Sequence, residues 1–233
     1  MPTIKVLSAG AVQSMVEELG REFELATGNK LNLIFNTAGS LRERFKNGEA
    51  ADLVVLSQTY IAELDDIGMF APRSVTDIGR TVTGVAVREG EPLPDISTPE
   101  AFVAALRKAK TVAYTDPKAG GSGGIMFVAM LAKLGILEEI NRKAVLGKRG
   151  ADVAQSVAAG RAEIGTTFIS EVLPVKGVKV VGPLPGKMHS ANTYTAAIPS
   201  SSASKETAIA LLRALTDPAT RARWTTAGLE PAF

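Results

Sequence analysis

Four stretches of this chain end an apolar, strand-like run in small residues: Val6-Leu7-Ser8-Ala9-Gly10, Phe35-Asn36-Thr37-Ala38-Gly39-Ser40, Asp116-Pro117-Lys118-Ala119-Gly120-Gly121-Ser122-Gly123-Gly124 and Ile164-Gly165-Thr166-Thr167-Phe168. A helix-like pattern usually follows. Such repeated junctions restrict the chain to an α/β fold, because parallel strands need helical crossovers to return. Small residues at the junctions let a ligand approach backbone N–H groups, and a helix N-terminus adds roughly half a positive charge. The pattern predicts a dry cleft for a small anion. Its expected lining is Ser8, Ala9, Gly10, Thr37, Ala38, Gly39, Ser40, Ser122, Gly123, Gly124, Thr167 and Phe168.

Periodicity fills in the rest. Val12, Met15, Val16, Leu19 and Phe23 fall on one helical face that Gly28 can close. Leu31 to Phe35 reads as a strand, Ser40 as the N-cap of a helix from Leu41 to Asn47, and Gly48 as its end. The unbroken apolar run Leu53-Val54-Val55-Leu56 predicts a parallel strand covered on both faces, with Thr59 capping a helix through Ile67. Thr81 to Arg88 is a further strand, and Ser97-Thr98-Pro99-Glu100 starts a helix with proline at its first position. Beyond it come a strand at Thr111 to Thr115, an apolar helix from Ile125 to Leu134 buried on more than one side, a helix at Asp152 to Ala159 and a strand at Glu163 to Phe168. Asn192 to Ile198 is a strand, Lys205 to Leu215 an amphipathic helix, and Asp217-Pro218 opens a last helix carrying Trp224. The strands at Thr81 and Asn192 bracket the second α/β run, so they predict crossovers between two lobes: 1–81 plus 192–233, and 82–191.

Composition excludes several functions. Lys and Arg number 26 against 24 Asp and Glu, and aromatics make up 5%, so neither a basic surface nor a stacking platform for nucleic acid is expected. No cysteine occurs, which removes thiolate catalysis and sulfur-ligated metals. No cofactor is expected: the glycine-rich loop lacks the Lys-Ser/Thr ending of a phosphate-binding loop and the Gly-x-Gly-x-x-Gly spacing of a dinucleotide site. Asp65-Asp66 and Glu138-Glu139 have no histidine nearby, so no metal site is expected. No run of about 18 uncharged apolar residues is present, so membrane insertion is not expected. Met1-Pro2-Thr3-Ile4-Lys5-Val6 enters a strand-like run at once, so the chain as it stands reads as cytoplasmic, and as periplasmic if a signal peptide was removed.

The order of the pieces resembles the two-lobe type II periplasmic-binding-protein fold, each lobe a mixed, mostly parallel sheet flanked by helices. Several segments resemble the molybdate-binding-protein family of ABC importers: "VLSAGAV", "FNTAGSLRERFKNGEAADLVVLS", "TDP" before the glycine loop, "AAGRAEIGTTFISEV", "KGVKVVGPLP" and "AGLEPAF". The resemblance implies two lobes that close on an oxyanion, with an ABC permease as partner if the chain is exported. It also implies hydroxyls that this sequence lacks: a serine where Gly10 stands, another where Ala38 or Gly39 stands, and a tyrosine where Phe168 stands. Each lost hydroxyl facing a buried dianion should cost about 1 to 3 kcal/mol. An organic di- or tricarboxylate therefore fits better than molybdate. Some relatives in that family isomerise unsaturated tricarboxylates such as aconitate, so an intracellular isomerase on the same scaffold is the alternative.

The remaining chemistry-bearing residues have ordinary readings beside functional ones. The sole histidine, His189, sits in a polar stretch and reads as exposed. Asp116 reads as a turn anchor. Tyr114 and Tyr194 either donate hydroxyls to a carboxylate or pack in strands, and Lys118, Arg80 and Arg88 either neutralise a ligand or sit in solvent. Gly-x-Ser-x-Gly is absent, and a proton-transfer residue for an isomerase is not evident among Tyr194, Tyr114, His189 and Asp116.

Overall fold

Met15, Val16, Leu19 and Phe23 are buried on one face of a helix, and Gly28 ends it with φ of 71°. Only a residue without Cβ takes that left-handed conformation without strain. The computed structural model describes residues 3–233. In chain order it has β1 (Thr3–Ala9), α1 (Gln13–Thr27), β2 (Lys30–Asn36), α2 (Ala38–Lys46), β3 (Leu53–Ser57), α3 (Gln58–Asp65) and a long β4 (Thr76–Arg88). Then come α4 (Pro99–Lys108), β5 (Val112–Thr115), α5 (Ser122–Lys133), α6 (Leu137–Asn141), β6 (Ala144–Gly147), α7 (Gly150–Ala158), β7 (Ile164–Phe168) and α8 (Ile169–Val172). The chain closes with β8 (Val178–Pro183), β9 (Ala191–Ala197), α9 (Lys205–Leu215), α10 (Arg221–Thr226) and β10 (Leu229–Pro231). The α/β expectation holds.

The chain divides into two compact units: the described residues up to Thr81 with Asn192–Phe233, and Val82–Ala191. In the first, β2, β1 and β3 are parallel, β9 runs antiparallel to β3, and β10 runs antiparallel to the start of β4. Every residue of β3 is buried, as its apolar run requires of a central strand. Asp52 fixes the approach to β3, its carboxylate accepting the Lys5 N–H at 3.0 Å and the Ser202 hydroxyl at 2.8 Å. Trp224 is fully buried and sits so close to Gly79 that a Cβ there would lie 2.9 Å from its ring. On the surface, the Arg223 guanidinium joins α10 to α1 through Glu18 and Glu22.

In the second unit β7, β5 and β6 are parallel, while β4 runs antiparallel to both β7 and β8. Phe102, Leu106, Phe127, Leu131, Ile136 and Ile140 bring α4, α5 and α6 into one core. Val153 and Val157 of α7 pack with Ala113 in another.

Several boundaries differ from the sequence reading. The cap of α2 is Thr37, not Ser40: its side chain accepts the Ser40 N–H, so the helix begins at Ala38. Thr59 lies inside α3, which starts directly after Ser57. Helix α5 begins at Ser122, within the glycine-rich stretch, and instead of being buried on more than one side it buries the stripe Gly123, Gly124, Phe127 and Leu131 and leaves Ile125 41% exposed. Elements β6, β8, β10, α6 and α8 had no sequence expectation because each is short and lacks a clear period.

Replacing Trp224 by Ala should lower the stability of the protein by about 3–5 kcal/mol, read as a reduced midpoint in urea denaturation followed by circular dichroism.

Candidate functional site

In the first unit the parallel register sets Ala9 beside Asn36 and Ser8 beside Val55, so the carboxyl ends of β1, β2 and β3 share one edge. Open α/β sheets bind ligands outside that edge. Ser8, Ala9, Thr37, Ala38 and Gly39 are buried there, with Gly10 and Ser40 partly so. Asn36 Oδ1 accepts the Thr37 N–H at 2.8 Å and Thr37 Oγ1 accepts the Ser40 N–H at 3.3 Å. Helix geometry gives the first-turn N–H groups of Ala38 and Gly39 no intrahelical acceptor. Ser57, buried at the end of β3, belongs to the same edge, with Tyr194 of β9 opposite it. Ser57 escaped the sequence reading although "LVVLS" carries the same signal as the other junctions: an apolar strand ending in a small residue before a helix.

The second unit repeats the arrangement. Tyr114 pairs with Thr166 and Leu146, and Thr115 with Gly147, so β5, β6 and β7 end on one edge. After β5, Asp116 Oδ1 accepts the Lys118 N–H at 2.9 Å, the anchoring role the sequence suggested. Gly120 turns the chain with φ of 74°. Gly123 and Gly124 are needed for a different reason. A Cβ on Gly124 would lie 2.1 Å from the Thr115 carbonyl oxygen, and one on Gly123 would lie 3.3 Å from the Phe168 ring. The glycines therefore bring the start of α5 down onto β5 and Phe168, leaving its first-turn N–H groups at the strand ends. Antiparallel β4 sets Thr83 opposite Phe168, with Thr83 Oγ1 3.3 Å from the Ser190 hydroxyl.

The most unusual group on this edge is Glu171. Thr167 Oγ1 donates to its carboxylate at 3.0 Å, and the Gly150 N–H at the start of α7 donates as well. The fit is close enough that a Cβ on Gly150 would lie 1.8 Å from Glu171 Oε2. Burial pushes the Glu171 pKa up to about 7, against the lowering effect of these two donors. Nothing in the local sequence marks Glu171, because its partner Gly150 comes from a different junction.

Other suggested residues are occupied elsewhere or lie in solvent. The Tyr114 hydroxyl donates to Asn141 and its ring packs on Phe127, with burial and then the charge of Asp116 raising its pKa. His189, Lys118 and Arg80 are exposed, and Arg88 pairs with Glu91. Among the described residues no group of three or more His, Asp or Glu side chains is placed to hold a metal. A cavity of about 890 Å³ in the second unit, lined by Leu93, Ala105, Lys110 and Ile164 among others, opens at the amino ends of β5 and β7. No Ser, Thr or Tyr lines it, in contrast to the clustered hydroxyls of the opposite edge, so the junction edges remain the candidate site.

The sequence profile of the bacterial extracellular solute-binding proteins matches residues 4–230. The chain belongs to this family. The chain is 31% identical over 234 residues to a protein named aconitate isomerase from a Pseudomonas species, covering 98% of this chain and 88% of that one. Among solved structures, the periplasmic molybdate-binding protein of Azotobacter vinelandii superposes with a TM-score of 0.77 at 20% identity, over 97% of this chain and 98% of that one. The sulfate-binding protein SubI of Mycobacterium tuberculosis gives a TM-score of 0.77 at 17% identity, over 100% and 88%. The fold of this solute-binding protein is thus the type II periplasmic-binding-protein fold, of the molybdate-binding-like kind. No helix among its described residues is long and apolar enough to cross a membrane.

Two consequences follow for the solute-binding protein's second unit. Gly124→Ala should destabilise it by about 1–3 kcal/mol, since the added methyl overlaps backbone that cannot yield; a lower melting temperature is the readout. Because folding raises the Glu171 pKa, the associated stability is present below the ordinary glutamate range and lost as the pH rises through about 7. Glu171→Gln should therefore flatten the fall in stability between pH 5 and 8, measured by urea denaturation across that range.

Proposed function

We propose that this protein binds a small organic di- or tricarboxylate, and that the junction edges of its two units are the anion-binding surfaces. The observation that carries the reading is the gathering of helix N-termini and buried or half-buried hydroxyls at the strand carboxyl ends: Ser8, Thr37 and Ser40 with the backbone of Ala9, Gly10, Ala38 and Gly39 in one unit, and Ser122 and Thr167 with Gly123, Gly124 and Phe168 in the other. Such donors suit carboxylates through directed N–H and O–H bonds. The aromatic face of Phe168 and the hydroxyl-free Gly10, Ala38 and Gly39 favour a ligand with a carbon skeleton over a fully solvated tetrahedral oxyanion. The aconitate isomerase relative is named for an unsaturated tricarboxylate, which supports the same ligand class. If the chain is exported, an ABC permease is its partner.

A second reading is isomerisation of an unsaturated carboxylic acid. The 31% identity to aconitate isomerase over 98% of the chain favours it. Such a reaction needs a group that takes a proton from one carbon and returns one to another, beside donors that stabilise the intervening charge.

A thermal-shift screen against molybdate, tungstate, sulfate, phosphate and a panel of carboxylates tests both readings. A ligand at 100 times its dissociation constant adds about 2.7 kcal/mol. We expect cis- or trans-aconitate or a related polycarboxylate to raise the melting temperature and molybdate to leave it unchanged. Stabilisation by molybdate alone would overturn the carboxylate assignment, and conversion of a bound carboxylate followed by NMR would establish the isomerase.

A further inference from the structure

We infer that Thr167 gives its hydroxyl proton to the bound anion only when Glu171 is protonated, so that anion capture at this edge takes up one proton. The inference rests on the reading of the second unit's edge as an anion-binding surface. A threonine hydroxyl has one proton to donate. In the structure that proton is directed at the Glu171 carboxylate, 3.0 Å away, so an ionised Glu171 competes with any anion that approaches Thr167. Protonation reverses the bond. The carboxyl then donates to Thr167 Oγ1, and the Thr167 proton turns toward the ligand.

The surroundings keep this competition unresolved in favour of either state. Glu171 has no ion-pair partner among the described residues. From α7, Arg149 at the helix start is engaged by Asp152 at 3.1 Å, and Asp152 itself opposes ionisation of Glu171 while Arg149 favours it. From α8 itself the neighbouring polar residue is the buried Ser170. Strand β8, which packs on α8, carries Lys179, and the turn before it Lys176; both are exposed. Strand β4 meets α8 through Gly84 against Ile169, without charge. The Gly150 N–H and Thr167 are the donors to the carboxylate, and burial counters them, holding its pKa near 7. A nearby ligand carboxylate adds a like charge and raises it further, so the proton enters with the ligand.

The test is calorimetric titration of the full chain with trans-aconitate, and separately with molybdate, from pH 7 to 8.5, in buffers of different ionisation enthalpy. The carboxylates of trans-aconitate are ionised throughout that range. Up to one proton should be taken up per ligand, and affinity should fall by as much as about tenfold per pH unit above 7. Glu171→Gln should abolish both the uptake and the slope while retaining binding at pH 8.5. His189→Gln, which removes the sole histidine of the sequence, should leave both unchanged. Thr167→Val should weaken binding and make the slope shallower, because the like-charge repulsion between Glu171 and the ligand remains. Binding that is independent of pH and buffer in the wild-type protein overturns the inference, without need of any variant, and so does a slope that persists in Glu171→Gln. Failure of both probes to bind overturns the reading of the edge and this inference with it.

Discussion

The two parallel ladders, β2–β1–β3 and β7–β5–β6, govern the rest of the molecule. Parallel pairing forces each strand to be followed by a helix that returns along the sheet, so the carboxyl ends of neighbouring strands and the amino ends of the following helices meet on one edge. Everything of chemical interest follows from that geometry. Small residues are required where helices touch strands: Gly124 against Thr115, Gly123 against Phe168 and Gly150 against Glu171. The same close approaches concentrate N–H groups and hydroxyls at the edges. Packing and the proposed ligand capture thus ask for the same residue types.

Glu171 shows where these demands conflict. The start of α7 offers N–H groups to an anion, and the protein supplies one of its own, so that junction differs from the start of α5, where glycines lower the helix onto an aromatic ring instead. An acidic side chain beside the proposed anion-binding surface would cost affinity unless its charge is lost. That cost is tolerable only because burial already weakens the ionised form.

Much of the architecture was legible because periodicity and punctuation agreed. The face of α1, its closing Gly28, the Thr98-Pro99 start of α4 and the span of α9 all follow from local spacing. What local spacing misjudged was competition between neighbouring caps: Thr37 and Ser40 are both good capping residues, and the start of α2 directly after β2 gives the role to Thr37. The mixed character of the sheets came from the family resemblance and not from local spacing, since β8 and β10 acquire their pairing from β4, far away in the chain. At the edges, the small-residue signal identified the junctions but not what closes them. Ser57 carried the signal and was passed over, whereas the Glu171–Gly150 contact joins two junctions that no spacing connects. Of the two readings of Tyr114, the fold takes packing: its ring lies on Phe127 and its hydroxyl donates to Asn141.

Strand β3 pairs with β1 on one side and with β9 on the other, and β9 begins only at Ala191. During synthesis at about 5–20 residues per second, the free edge of β3 waits on the order of ten seconds for its partner to leave the ribosome. In that interval an entirely apolar strand, Leu53-Val54-Val55-Leu56, has one set of backbone groups open to any other chain. The later-made Val82–Ala191 unit has all of its own strands in hand before the earlier-made one is complete. The discontinuity of the first unit therefore inverts the order of birth and maturity, and leaves the nascent protein dependent on protection by chaperones or by its own helices until its last forty residues appear.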